Sequence, residues 1–180
     1  MAVASRFTLG FAVLGCVMWQ WVAAAPARAY EDQLSLGVGA GYAYLAREGG
    51  PHHGAAFDFE ASLGLSEIWS VRAALAYSVH PAERTLSKLN LAAEIVYVID
   101  VLELVPSLGL GVDALGGRSH SPPHDARVDL GVHPVLGLDW LFRRELMLGL
   151  SVRPIFVLSD WARQPLYLSA TLTASWLLDL

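Results

Sequence analysis

Histidines are the one unusual concentration of reactive side chains in this chain: His52, His53, His80, His120 and His124 all fall in or beside segments that read as connections. Imidazole is the commonest metal ligand, and neighbouring loops that gathered His52, His53, His120 and His124 would make a metal-capture site. Their spacing follows no regular ligand pattern, and solvated polar loops explain them without a metal, so no metal or cofactor is assigned. The stretch from Ser119 to Asp125, with His120, Ser121 and His124 inside it, contains the residue types of a hydrolase triad. Those groups must converge in space, and a short loop interrupted by Pro122 and Pro123 supplies no scaffold to hold them. The expectation is a protein that is not an enzyme.

A second set of chemical groups is placed more regularly. Asp58, Glu60, Arg72, Lys88, Glu94, Asp113, Asp129, Asp139 and Arg153 each occupy the small and polar phase of a segment that alternates with large apolar residues. The last segment shows the alternation best: Leu166, Leu168, Ala170, Leu172, Ala174, Trp176, Leu178 and Leu180 take one face, and Tyr167, Ser169, Thr171, Thr173, Ser175 and Asp179 the other. Period two is the period of a β-strand. Eight such strands are expected at roughly 33 to 46, 56 to 65, 69 to 80, 86 to 99, 104 to 115, 127 to 141, 146 to 158 and 166 to 180. The inside of an eight-stranded barrel is too narrow for so many leucines, whereas a lipid-facing wall accepts them, so the apolar phase is expected to face a bilayer. The predicted fold is therefore all-β: an eight-stranded antiparallel transmembrane β-barrel with short periplasmic turns and longer extracellular loops.

Composition agrees. The 180 residues are 54% hydrophobic and 16% charged with mean hydropathy +0.44, too apolar for an ordinary soluble domain. After the N-terminus no apolar run is long enough for a membrane-spanning helix. Residues 1–29 read as a signal peptide, with Arg6, an apolar core from Phe7 to Ala25 and an Ala27-Arg28-Ala29 cleavage site, which leaves residues 30–180 as the barrel. Cleavage removes two positive charges, Arg6 and Arg28, from a formal net charge of −5, and also the single cysteine, Cys16. Disulfide and thiolate chemistry are thereby excluded, and an acidic exported chain offers nothing to nucleic acid.

The expected connections alternate between longer ones (47 to 55, 81 to 85, 116 to 126, 159 to 165) and tighter ones (66 to 68, 100 to 103, 142 to 145), which puts both termini on the periplasmic side. On that topology Trp69, Tyr97, Trp140 and Trp176 gather at the periplasmic end and Tyr42, Tyr44, Phe57, Phe59, Tyr77 and Phe156 at the other, as interfacial aromatic girdles require. Counting from the turns brings Arg72 near the height of Glu60 and Glu94, so interior ion pairs among Glu60, Arg72, Glu94 and Arg153 are expected to plug the lumen. Pro106, Pro134 and Pro154 each remove a ladder hydrogen bond. Pairing around the 142 to 145 turn sets Pro134 opposite Arg153 and Pro154 opposite His133, a local bulge or weak seam.

The pattern over residues 30 to 180 resembles the small outer-membrane barrels of Gram-negative bacteria: the OmpA-type transmembrane domain and the OmpX and OmpW-like proteins. The resemblance is carried by the alternation through Ala174, Trp176 and Leu178, although such barrels usually finish in an aromatic residue where this chain has Leu180. It implies export to the outer membrane, contact with outer-membrane lipid and lipopolysaccharide, recognition of the C-terminal strand by the barrel-assembly machinery, a monomer, and a structural or surface-exposed role. No cell-wall-binding domain is expected to follow. Two alternatives stay open. One is a small channel or transporter for a hydrophobic or ionic solute, and the other a lipid A-modifying enzyme, whose His-x-Ser-Asn pattern is absent after both His120 and His133.

Overall fold

The structure, a computed structural model, describes residues 33–47, 49–81, 85–99, 104–119 and 127–179. The expected signal peptide, His120 and His124 lie outside the described residues. Eight antiparallel strands follow one another around a closed barrel: β1 (Gln33–Arg47), β2 (Gly50–Gly64), β3 (Trp69–His80), β4 (Leu86–Val98), β5 (Leu104–Ser119), β6 (Arg127–Arg143), β7 (Leu146–Val157) and β8 (Leu166–Asp179). Pairing of β1 with β8 closes the sheet, so every strand has two neighbours.

The wall is inside out relative to a water-soluble barrel. Leu172 (68% exposed), Leu110 (67%) and Val128 (67%) are among many large apolar side chains on the outer face, while the buried set includes Asp58, Glu60, Arg72, Glu94, Asp113 and Arg153. That is the distribution for a barrel solvated by hydrocarbon, since the backbone is satisfied within the sheet and charge is withdrawn from the outside. Trp69, Tyr97, Trp140 and Trp176 ring the outer face at the end where β8 finishes, and Tyr42, Phe57, Tyr77 and Phe156 ring it at the other. Trp69 meets Tyr97 edge-on with centroids 5.2 Å apart, one strand to the next.

Several boundaries differ from the sequence expectation. The segment 47 to 55, expected as a long loop, is mostly strand: β1 and β2 stay paired as far as Arg47↔Gly50, and β2 begins six residues before its expected start. Gly49 (φ 99°) and Gly50 (φ 125°) adopt the left-handed conformations that close the hairpin tightly. Large outward side chains stop beyond the bilayer, so apolar alternation fades while the ladder continues. β5 likewise runs on to Ser119 and β6 to Arg143, with a bulge between Leu141 and Arg143, so β6 and β7 are joined by Arg144 and Glu145 alone.

The register across β6 and β7 also corrects an expectation. Val132↔Phe156 and Leu136↔Val152 bracket an interruption, and the same register across it sets Pro134 level with Pro154 rather than with Arg153. Leu158 donates to the Leu130 carbonyl at 2.8 Å, which by two-residue alternation makes the proline position one where two backbone hydrogen bonds would be exchanged. Neither proline has a donor to give. The ladders on their other sides run unbroken through Leu110↔Pro134 and Pro154↔Leu168, so both deficits fall on one seam.

Inside, the barrel is layered. At the end where the β1–β2 hairpin turns, Leu45, Leu86, Leu115, Ile155, Val157 and Tyr167 form a buried apolar cap. The charged residues occupy the middle. Below them Val96, Val98, Val105 and Val135 pack together, beside a serine-lined vestibule of about 30 Å³ formed in part by Ser35, Ser62, Ser70 and Asp139. The expected small and polar interior holds for the middle layer, whereas the cap and the valine cluster are apolar.

Candidate functional site

The charged layer follows from a rule visible in the register: a glycine stands next to each acidic side chain in it. Gly39 pairs with Asp58, Gly37 with Glu60, Gly111 with both Glu94 and His133, Gly131 with Asp113 and Gly149 with Asp139. A Cβ at Gly111 would come within 2.6 Å of His133 Nε2 and 2.9 Å of Glu94 Cγ, and one at Gly39 within 3.0 Å of Asp58 Cγ. The missing side chains are the space into which the charged ones fold.

Arg153 of β7 spans the lumen. Its Nε donates to Glu94 Oε1 of β4 at 2.7 Å, Nη1 to Asp58 Oδ2 at 3.3 Å and Nη2 to Glu60 Oε2 at 3.0 Å, both on β2. Thr171 Oγ1 donates to the same Asp58 oxygen at 2.9 Å. Arg72 lies between Glu60 and Glu94 at 3.9 Å from each, in ion-pair range without a hydrogen bond. Of the four residues the sequence singles out for interior pairing, Glu60, Arg72, Glu94 and Arg153 all meet here, with Arg153 as the hub.

A second arm extends from Glu94. His133 places Nε2 3.2 Å from Glu94 Oε1 and Nδ1 2.5 Å from Asp113 Oδ2, and Asn90 Nδ2 donates to the other Asp113 oxygen at 2.9 Å. With a carboxylate at each nitrogen, the ring is a donor to both only when it carries a proton on each. Sequence reasoning placed Asp113 on the inner phase and His133 at the β6–β7 seam but missed their convergence. Their register partners, Gly111 and Gly131, were the available signal. The cluster is buried and mixed in sign, with each charge neutralised by neighbours on other strands, which is the condition for holding charge in a low-dielectric interior. Chemically it is a crosslink between β2, β3, β4, β5, β6, β7 and β8 that spans the interior.

The histidines separate. His52 is half-buried on the inner phase of β2, whereas His53 is exposed on the outer phase, where Tyr42 hydrogen-bonds it and Tyr44 packs 5.6 Å away. Adjacent residues of a strand point to opposite faces, so this pair cannot chelate one ion. His80 is buried, 3.1 Å from Ser78 Oγ and edge-on to Tyr167. Among the described residues no group of three or more His, Cys, Asp or Glu is placed to hold a metal.

Comparison with protein families finds no matching family, and comparison with curated proteins finds no match. Solved structures do match. Neisserial surface protein A (NspA) is 15% identical, with 82% of this chain covering 97% of that one at a TM-score of 0.64. The outer membrane protein OprG of Pseudomonas aeruginosa is 9% identical over 86% of this chain and 100% of its own, at 0.58. Ail, the attachment invasion locus protein of Yersinia pestis, is 15% identical over 82% and 99%, at 0.57. The chain therefore has the eight-stranded barrel fold that these bacterial surface and outer-membrane proteins share.

Proposed function

We propose that this chain is a Gram-negative outer-membrane protein, exported by residues 1–29 and inserted as a closed barrel with a structural or surface-exposed role and no enzymatic activity. The observation that carries the reading is Arg153, which reaches across the interior from β7 to carboxylates on β2 and β4. The apolar cap above it is a second barrier. A channel or transporter needs a continuous lumen, and desolvating an ion past this cluster would be costly. A lipid A-modifying enzyme needs a nucleophile and base facing the lipid. The hydrogen-bonded pair Ser78 and His80 is fully buried and faces inward, away from any acyl chain. The alternating apolar residues of β8, ending in Trp176 and Leu178, are the feature the assembly machinery would read, and the lipid-facing wall suits a monomer whose partners are outer-membrane lipid and lipopolysaccharide. The test is conductance of the refolded mature barrel in a planar bilayer. A silent bilayer is expected, and sustained unitary steps would replace this reading with the channel.

A further inference from the structure

Beyond Trp140, β6 carries Leu141, Phe142 and Arg143 past the periplasmic aromatic girdle and turns through Arg144 and Glu145 into β7. The bulge at Leu141/Arg143 re-aims these side chains, and all of them are exposed. Trp140 meets Phe142 edge-on at 5.4 Å, and the Arg143 guanidinium lies 5.7 Å from the centre of the Phe142 ring, so the cation is held at the girdle by a face it stacks on. Leu177 of β8 donates to the Glu145 carbonyl at 3.0 Å and ties the turn to the neighbouring strand. Between them lies a concavity of about 350 Å³ lined by Arg143, Arg144, Glu145, Leu146 and Trp176.

We infer that this concavity binds the phosphodiester of an anionic phospholipid in the periplasmic leaflet. The inference rests on the barrel lying in a bilayer, and three observations carry it further. Neither arginine is ion-paired among the described residues, in a barrel whose buried arginines both are. The charged residues of the other two connections at this end are all acidic in the sequence, Glu67 and then Asp100 and Glu103, so the basic turn stands apart. Three residues of tilted strand separate Arg143 from Trp140, on the order of 8 Å along the membrane normal, which is the step from the aromatic belt to the phosphates. Two guanidiniums and the Glu145 carboxylate leave one net positive charge, which an anionic lipid neutralises and a zwitterionic one does not. Guanidinium donors match phosphate oxygens in pairs, and Trp176 offers the glycerol and upper acyl chain an amphipathic wall.

The experiment is native mass spectrometry of the refolded mature barrel, released from detergent after incubation with phosphatidylglycerol, phosphatidylcholine or inorganic phosphate. Wild type is expected to retain phosphatidylglycerol at least five-fold more than phosphatidylcholine. Arg143→Gln/Arg144→Gln is expected to lose that preference, and Glu145→Gln to strengthen it. Equal retention of the two lipids by wild type, or undiminished phosphatidylglycerol on the double variant, would overturn the proposal, as would displacement of the lipid by millimolar inorganic phosphate. A heat-dependent gel shift checks folding separately: its loss in wild type would sink the barrel reading itself, and its loss in the double variant alone leaves the wild-type lipid comparison and Glu145→Gln to decide.

Discussion

His133 and Arg153, one on each side of the interrupted β6–β7 ladder, converge on a single atom, Glu94 Oε1, at 3.2 and 2.7 Å. They are the chain neighbours of Pro134 and Pro154, so the cluster crosslinks the two strands from within at the height where their backbones exchange nothing. Charge-assisted hydrogen bonds are about twice as strong as neutral ones, which is enough to offset two missing ladder bonds.

Removing that shared acceptor should open the crosslink and leave Arg72, His133 and Arg153 facing a cavity. Glu94→Ala is expected to destabilise the barrel by about 3–5 kcal/mol, the cost of breaking a buried charge network. Urea unfolding followed by tryptophan fluorescence measures it, and a midpoint equal to wild type would mean that the cluster does not brace the wall.

The seam can be repaired from the backbone side. Pro134→Ala with Pro154→Ala restores both donors, and hydrogen exchange should show two new slowly exchanging amides at 134 and 154. Stability should change by less than about 1 kcal/mol, because the new bonds are offset by the greater freedom of the unfolded chain. Fast exchange at both positions would place the deficit elsewhere.

Glycines beside the charged layer should tolerate nothing larger. Gly111→Ala is expected to cost about 1–3 kcal/mol through overpacking against His133 and Glu94. Gly116→Ala, on the same strand, meets only the Leu89 carbonyl at 3.8 Å and should be close to neutral. Similar losses at the two sites, read from unfolding midpoints, would remove the steric explanation.

The outer wall should discriminate by depth. Leu172, opposite Ala40 and Leu150 in mid-strand, should cost about 2–4 kcal/mol as Leu172→Arg. Leu168 lies level with Tyr44 at the outer girdle, where the same change costs about 0–1 kcal/mol. Folding free energies in vesicles that failed to separate the two would count against the membrane placement.

Strand number, order and facing were legible in the sequence because period-two alternation is enforced wherever one face meets lipid and the other a narrow interior. Legibility ended where that enforcement ends. Around His52 and His53 the strands stand clear of the hydrocarbon, no large outward residue is required, and a paired hairpin read as a loop. The β6–β7 register was misjudged by one residue because the turn closes at Arg144 and Glu145 rather than across 142 to 145, and the bulge between Leu141 and Arg143 takes back only half of that displacement. Glu60, Arg72, Glu94 and Arg153 were readable as interior from phase alone. That Arg153 and not Arg72 is the hub depends on reach across the lumen, which no pairwise count along neighbouring strands contains.

Leu45, Leu115, Ile155 and Tyr167 close the lumen at one end, while serines and Asp139 line a small cavity toward the other. The two ends of the interior are consequently unlike in polarity. A hydrocarbon lid lies over the cluster at the end where the β1–β2 hairpin turns, and Arg72 lines the small polar cavity toward the end where β8 finishes. The same charged cluster is thus bounded by hydrocarbon on one side and by serines, Asp139 and valines on the other.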